Sequence, residues 1–455
     1  MISLKRWPKV QHLREKLNSK AKAEPGFRFY VLYDKVYRKD FLEAAYAQCR
    51  SNDGAPGVDE NAFEDVEAYG VERFLTELAE ELQALRYVPG PVRRVLIEKE
   101  GQPGKYRPLG IPNIKDRVVQ QAVKLLLEPI FEADFTEEAY GYREGKSAHD
   151  AVLKVAASVR AGYTEVVDAD LSKYFDTIPH AELMRSVERR IADRKVLWLI
   201  RHWLKAPVQE KNEAGRTVIT GGKKTKVGTP QGGVISPLLA NIYFRRFLKA
   251  WEQFGLHHKY RTRIVTYAAD FVILSRGKGR EALAATRRLM PTLKLTLNED
   301  KTRLCQAGKE AFNFLGYTFE TLYSFGGRPY LGKRPSDKSV QKHREKLRQL
   351  TAPDQTSKEA ATVAAEVNAV VRGYWNYYNL GTSVGLRWQL NRYTWERMRI
   401  WVRRKHAKPR KRKGVSRSHG QGLQAKVRAA QALLVDAYKI PRHPAERRDA
   451  ACFAK

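Results

Sequence analysis

The chain has 455 residues, in which 84 lysines and arginines face 50 aspartates and glutamates for a formal charge of +34. That length exceeds one ordinary core and predicts about two to four domains, while the charge calls for a polyanionic partner, nucleic acid foremost. Cys49, Cys305 and Cys452 are scattered and lack paired spacing, which argues against a disulfide framework and structural zinc and for a reducing compartment. No apolar run reaches the ~18 residues of a membrane span, and Met1–Trp7 has no signal-peptide core. A soluble, cytoplasmic protein without a membrane partner is expected.

Residues up to about 50 read as helical, with Phe29, Leu32, Tyr33 and Val36 on one face. A second amphipathic helix is predicted over 71–86, its stripe supplied by Val71, Phe74, Leu75, Leu78, Leu82 and Leu85. Strand-like runs then alternate with helices to about residue 320, which gives an α+β region. Within it, Glu165-Val166-Val167-Asp168-Ala169-Asp170 is an apolar strand running into acidic residues, followed by Tyr174-Phe175-Asp176 and a turn at Ile178-Pro179. Carboxylates at a strand end suit hard cations such as Mg²⁺, although a solvated acidic turn accounts for this stretch taken alone. The segment Gly228-Thr229-Pro230-Gln231-Gly232-Gly233 lets backbone approach a ligand, and an apolar run to Asn241 predicts a helix after it. Ile264-Val265-Thr266 and Phe271-Val272-Ile273-Leu274 flank Tyr267-Ala268-Ala269-Asp270, predicting a β-hairpin with Asp270 at its turn.

Beyond about 320 no further strand is expected. From Ser336 the chain reads as helical and basic through Lys338, Lys342, Arg344, Lys346 and Arg348, with an inter-helix loop over 351–357. Aromatics then interleave with arginines in Val371-Arg372-Gly373-Tyr374-Trp375 and from Leu390 to His406, a pattern suited to RNA because bases stack on rings while guanidinium groups meet phosphates. Trp375, Trp395 and Trp401 also fit a helix core, so packing by the aromatics and binding by the basic face are both expected. The run 405–417 carries seven Lys or Arg residues and reads as a flexible or RNA-ordered arm.

These segments, in this order, resemble a reverse transcriptase of the bacterial group II intron type. Asn52-Asp53-Gly54-Ala55-Pro56-Gly57-Val58-Asp59 is similar to that family's N-terminal motif, and Val92–Lys99 through Arg107-Pro108-Leu109-Gly110 to its fingers. Tyr140-Gly141-Tyr142-Arg143 with Ser147–Asp150 continues the likeness, which Leu297–Thr302 and Phe314-Leu315-Gly316-Tyr317 complete. The resemblance covers roughly residues 25–405 and implies a right-hand polymerase, fingers and palm followed by an α-helical thumb and an α-helical maturase domain that binds intron RNA. Its implied division is 1–88 for an N-terminal extension and the start of the fingers, 89–325 for fingers and palm, 326–365 for the thumb, and 366–455 for the maturase-like part. No zinc-containing endonuclease domain is recognised toward the C-terminus, which implies another route to a primer.

The implied chemistry is deoxynucleotide addition to a 3′ end on an RNA template, with two Mg²⁺ ions activating the 3′ oxygen and neutralising the leaving pyrophosphate. By resemblance Asp170 and Asp270 are metal ligands and Asp168 a supporting acid. Phe175 screens the sugar 2′ position, five residues after Asp170. Lys99 and Arg107 grip the triphosphate, Gln231 lies at the nascent base pair, and Lys301 protonates pyrophosphate. Arg397, Arg399, Arg403, Arg404 and Lys405 are the expected RNA contacts. The implied partners are group II intron RNA, an RNA template with DNA primer or target DNA, and deoxynucleoside triphosphates, with the nucleoid as the place of action on DNA.

Position 269 departs from the family, which has YADD where this chain has YAAD. Alanine offers a metal no oxygen, so polymerisation is expected to fall by orders of magnitude. Two readings stand. One is a polymerase disabled at a single ligand, favoured by the intact Lys99, Arg107 and Lys301; the other is a non-catalytic RNA-binding maturase on the same scaffold. A domesticated relative serving antiphage defence or repair is the narrower third.

Overall fold

The structure is a computed structural model that describes residues 3–98, 104–211, 216–324, 326–381, 383–407 and 417–441, without the side chains of 417–421. Lys99, Cys452 and residues 408–416 of the basic arm therefore lie outside the described residues. Described strands are β1 (Val92–Glu98), β2 (Tyr106–Ile111), β3 (Glu165–Asp170), β4 (Pro207–Lys211), β5 (Thr217–Gly221) and β6 (Thr262–Tyr267). The chain continues with β7 (Asp270–Ser275), β8 (Arg303–Gln306), β9 (Phe312–Phe314), β10 (Tyr317–Tyr323) and β11 (Pro329–Pro335). Two compact units arise, one from 1–151 with 165–304, the other from 152–164 with 305–455.

In the first unit the expected N-terminal helix is interrupted. Helices span Pro8–Ala23, Tyr33–Val36 and Lys39–Asn52, and Pro25-Gly26 breaks the periodic stretch between them. Phe29 instead pairs through its backbone, donating to the Arg190 carbonyl at 2.7 Å and accepting from Ala192 at 2.7 Å. Asp193 then accepts from the Leu32 and Tyr33 amides, each at 2.8 Å. The four apolar side chains are buried as expected, but a bridge and a short helix bury them in place of one long helix. The predicted 71–86 helix spans Val71–Gln83. Leu75, Leu78 and Leu82 are buried, whereas Leu85 falls past the helix end at φ 58° and is 55% exposed.

β1, β2, β4 and β5 form one sheet in the order β2-β1-β4-β5, the fingers of the expected fold. The palm sheet runs β6-β7-β3-β8. Phe271, Val272, Ile273 and Leu274 of β7 are all fully buried, because β7 is an interior strand with structure on both faces. The helix Ser236–Gln253 covers one face, setting Phe244 and Phe247 each 5.5 Å from the Phe271 ring. Ser147 and Asp150 act as a helix start: the Ser147 amide donates to Asp150 Oδ2 at 2.8 Å and the Asp150 amide to Ser147 Oγ at 3.2 Å.

The second unit corrects the expectation that strands end near 320. β11 pairs with β10 along its length, from Tyr317 opposite Pro335 to Tyr323 opposite Pro329. Prolines at both ends and Gly332 inside hide it from a propensity reading, yet an edge strand tolerates them. Helices Asp337–Leu350, Ala360–Tyr377, Val384–Lys405 and Arg417–Ala432 follow. Ser336 starts the first by accepting from the Ser339 amide at 3.3 Å. The expected break at 365/366 falls inside the unbroken helix Ala360–Tyr377. Val371 and Trp375 from that helix share one core with Val340, Leu347, Met398 and Trp401, so apolar packing fuses the segments assigned to thumb and maturase.

Candidate active site

β3 and β7 are antiparallel in a register that sets Asp170 directly opposite Asp270. Asp168 points to the same face two residues earlier, opposite Val272, and lies 3.6 Å from the Arg303 guanidinium. Register thus distinguishes the two acids: Asp170 meets Asp270 at the strand end, and Asp168 is held further back. Lys301 Nζ lies 2.6 Å from Asp170 Oδ2, and the Asn298 amide donates to the Asp170 carbonyl at 2.8 Å. Three of the four expected catalytic positions, Asp170, Asp270 and Lys301, therefore come together, with Ala269 adjoining them in the chain. Among the described residues no group of three His, Cys, Asp or Glu side chains is placed to hold a metal ion.

Close packing fixes the hairpin between β6 and β7. Tyr267 pairs with Asp270, leaving Ala268 and Ala269 as the turn, so Asp270 begins β7 and does not form the tip. Ala268 takes φ 57°, the positive value required at the first central position of such a turn. β6 is tied to the preceding loop, since the Thr266 amide donates to Glu138 at 2.8 Å and the Tyr140 amide to Thr266 at 2.9 Å. Gly141 passes so near the turn that a Cβ there would stand 2.5 Å from the Ala268 nitrogen. Asn241 Nδ2 donates to the Gly141 carbonyl at 2.7 Å, and the Arg143 guanidinium secures the loop through the Thr136 and Ala139 carbonyls, each at 2.6 Å.

Burial pushes the Asp270 carboxyl up to about 6, and the neighbouring Asp170 adds to the rise while Lys301 opposes it. Asp270 is nonetheless exposed at the strand end, so the facing acids matter to this rise as well as burial. Burial likewise lifts Asp168 to about 6 against the pull of Arg303. An aspartate raised above its unfolded value of about 3.9 holds extra protons in the folded state, so stability falls as pH rises through that window. In chelator, Asp270→Asn is expected to melt above the parent at pH 7, with the difference closing by about pH 4. Thermal unfolding across pH checks this; a pH-independent difference would contradict the raised value.

Around the carboxylates stand three rings. Tyr142 lies 6.5 Å from both Phe175 and Tyr267, at φ 57°. Its hydroxyl is raised by burial and by Tyr267, with Arg107 opposing and Asp270 adding, which places Arg107 and Asp270 within electrostatic reach of one ring. Arg107 itself is exposed on β2 opposite Ile97. Gln231 Nε2 donates to Asp176 at 3.3 Å, while the Thr229 amide donates to the Phe175 carbonyl at 2.7 Å, so the glycine-rich loop is stitched to the turn after β3. Gly232 packs on the fingers, where a Cβ would come within 2.3 Å of the Gly110 carbonyl. Sequence reasoning gave no role to Tyr142, Asp176, Asn241, Asn298 or Arg303; the first four lie within quoted segments and Arg303 adjoins one, but only the fold shows what each touches.

Residues 97–319 match the family model described as "Reverse transcriptase (RNA-dependent DNA polymerase)", and residues 340–420 match "Group II intron, maturase-specific domain". Protein YkfC of Escherichia coli strain K12 is 33% identical over 359 residues, covering 68% of this chain and 87% of YkfC. The chain belongs to the group II intron family of reverse transcriptases and maturases. The group II intron-encoded protein LtrA of Lactococcus lactis subsp. cremoris is 36% identical over 221 residues, covering 49% of this chain and 35% of LtrA. A 91 kDa protein in the cob intron of Schizosaccharomyces pombe is 24% identical over 447 residues, covering 81% of this chain and 54% of that protein. The chain thus spans most of YkfC but about a third of LtrA.

In this reverse transcriptase the expected RNA-contacting residues lie on the helix Val384–Lys405, and two of them are already engaged with the 351–358 turn. Arg397 donates to Thr351 Oγ1 at 3.0 Å and to the Thr351 carbonyl at 3.2 Å. Lys405 donates to the carbonyls of Thr356 at 3.0 Å and Lys358 at 2.7 Å. Both tie the helix to the 351–358 turn, a packing role that charge counting could not reveal. Arg399 pairs with Glu396, while Arg403 and Arg404 are exposed. The tryptophans divide too: Trp375 and Trp401 are fully buried, whereas Trp395 is 45% exposed.

Proposed function

We propose that this chain is an RNA-directed DNA polymerase of a group II intron that also binds the intron RNA and assists its splicing and mobility, and that alanine at position 269 disables its polymerase step. The observation that carries the reading is the register pairing of Asp170 with Asp270 beside Lys301, next to a turn position that offers no oxygen. Two facing carboxylates, one with its carboxyl raised by burial and by its neighbour, are a donor set that a hard cation relieves. Asp170 and Asp270 would hold Mg²⁺, which when bound supplies positive charge to the reacting phosphate.

The chain's own residues supply the remaining work. Arg107 meets the triphosphate oxygens, and Phe175, edged by Tyr142, excludes a 2′ hydroxyl. Gln231, steadied by Asp176, faces the nascent pair. Lys301 gives a proton to the departing pyrophosphate oxygen, which requires that it first let go of Asp170. The test is RNA-templated primer extension in Mg²⁺ by this chain and by Ala269→Asp in parallel. Activity in the substituted chain alone supports a polymerase lacking one ligand; inactivity of both with retained RNA binding supports the maturase-only reading. In the active background Arg107→Ala raises the deoxynucleotide KM about tenfold with kcat little changed; steady-state kinetics that show no rise in KM would remove Arg107 from the triphosphate site.

A further inference from the structure

The helix Val384–Lys405 presents two different faces. One buries Arg387, Leu390, Thr394, Met398, Trp401 and Val402. On the other, Trp388 is 54% and Trp395 45% exposed, large aromatic areas that a core helix would turn inward. At 3.6 residues per turn, Trp388, Arg392, Trp395, Arg399 and Arg403 fall within about 80° of one another around the axis. Aromatic and basic side chains therefore alternate along a single stripe. The Arg392 guanidinium sits 5.4 Å from the Trp388 ring, and Glu396, beside the stripe, is paired with Arg399.

We infer that this stripe is a stacking site for unpaired bases of RNA, with Trp388 and Trp395 as the platforms and Arg392, Arg399 and Arg403 meeting the phosphates between and beyond them. Charge selects the occupant: an apolar protein surface would be poorly served by arginines set between the rings, whereas single-stranded RNA offers both π-faces and regularly spaced negative charge. Seven residues of helix separate the rings by about 10 Å, too far for two adjacent stacked bases and suited to bases splayed from a loop or bulge. The proposal rests on the reading that this chain binds structured RNA. It adds which part of that RNA is engaged, and where.

The test is binding of the full chain to a single-stranded oligouridylate of about twelve nucleotides and to an RNA duplex of equal length, across a salt series. Trp388→Ala and Trp395→Ala are each expected to weaken single-strand binding about tenfold, with duplex affinity and salt slope unchanged and with Phe at either position restoring most of the loss. Arg392→Ala should lower the salt slope by about 0.7. Parent-like affinity in the double alanine variant, or equal loss for single strand and duplex, overturns the stacking site while leaving RNA binding in place; a protein would then be the candidate for that face. Failure of the unsubstituted chain to bind RNA at all overturns both the stacking site and the RNA-binding reading.

Discussion

Replacing Ala269 with aspartate is expected to raise Mg²⁺-dependent, RNA-templated primer extension by about two to three orders of magnitude, the scale of one lost group acting on transition-state charge. The backbone admits the change. Ala268 occupies the positive-φ position of the turn and Ala269 does not, so an aspartate at 269 meets no conformational penalty. A side chain there adjoins Asp270, which faces Asp170 across the sheet, adding a carboxylate beside that facing pair. The same proximity carries a cost in the absence of metal. A third carboxylate beside a pair that already repels should lower the melting temperature in chelator, and Mg²⁺ should recover it by binding the folded state. Thermal melts with and without Mg²⁺ check this alongside primer extension. Equal activity of the two chains would mean that position 269 is not a ligand position.

The second large effect is expected from Gly141→Ala. Its added methyl would lie 2.5 Å from the Ala268 nitrogen and 3.1 Å from the Tyr267 carbonyl carbon. These are backbone atoms of the turn that sets Asp270, and they cannot swing aside as a side-chain tip can. Either the 138–142 loop or the hairpin must shift. Because catalytic geometry is lost over about 1 Å, kcat should fall roughly 100-fold in the Ala269→Asp background, with the strain also lowering stability by about 1–3 kcal/mol. RNA affinity should be unchanged, which separates a displaced hairpin from a collapsed protein. Full activity in this variant would show that the contact between loop and hairpin yields freely.

The residues of the proposed site were legible because they sit at chain punctuation: Asp170 where an apolar strand ends, Asp270 beside a tight turn, and Gln231 among glycines. Their mutual placement was not. The resemblance, through the five-residue spacing to Phe175, ranked Asp170 ahead of Asp168, but the β3–β7 register, set by pairing across about a hundred residues of sequence, is what places Asp170 opposite Asp270. The clamp by Gly141 and Asn241 is invisible for the same reason, since close approach leaves no local signature beyond a glycine. Errors of fold had a common source. The helix broken at Pro25-Gly26, the strand Pro329–Pro335 and the continuous helix Ala360–Tyr377 are each decided by tertiary partners that outweigh local propensity. Charge counting likewise could not show the bonds of Arg397 to the Thr351 hydroxyl and carbonyl, or of Lys405 to the carbonyls of Thr356 and Lys358.

The contact between Lys301 and Asp170 occupies one carboxylate oxygen with an ammonium, which a divalent ion at the proposed site would have to displace. On the proposed reading, Asp170 would be shielded by this ammonium until a more strongly charged ion took over the carboxylate, and only then would Lys301 be free to donate a proton. Readiness to donate would thereby be tied to the filling of the site, and the lysine proposed to act late in the reaction would also serve as a gatekeeper at its start.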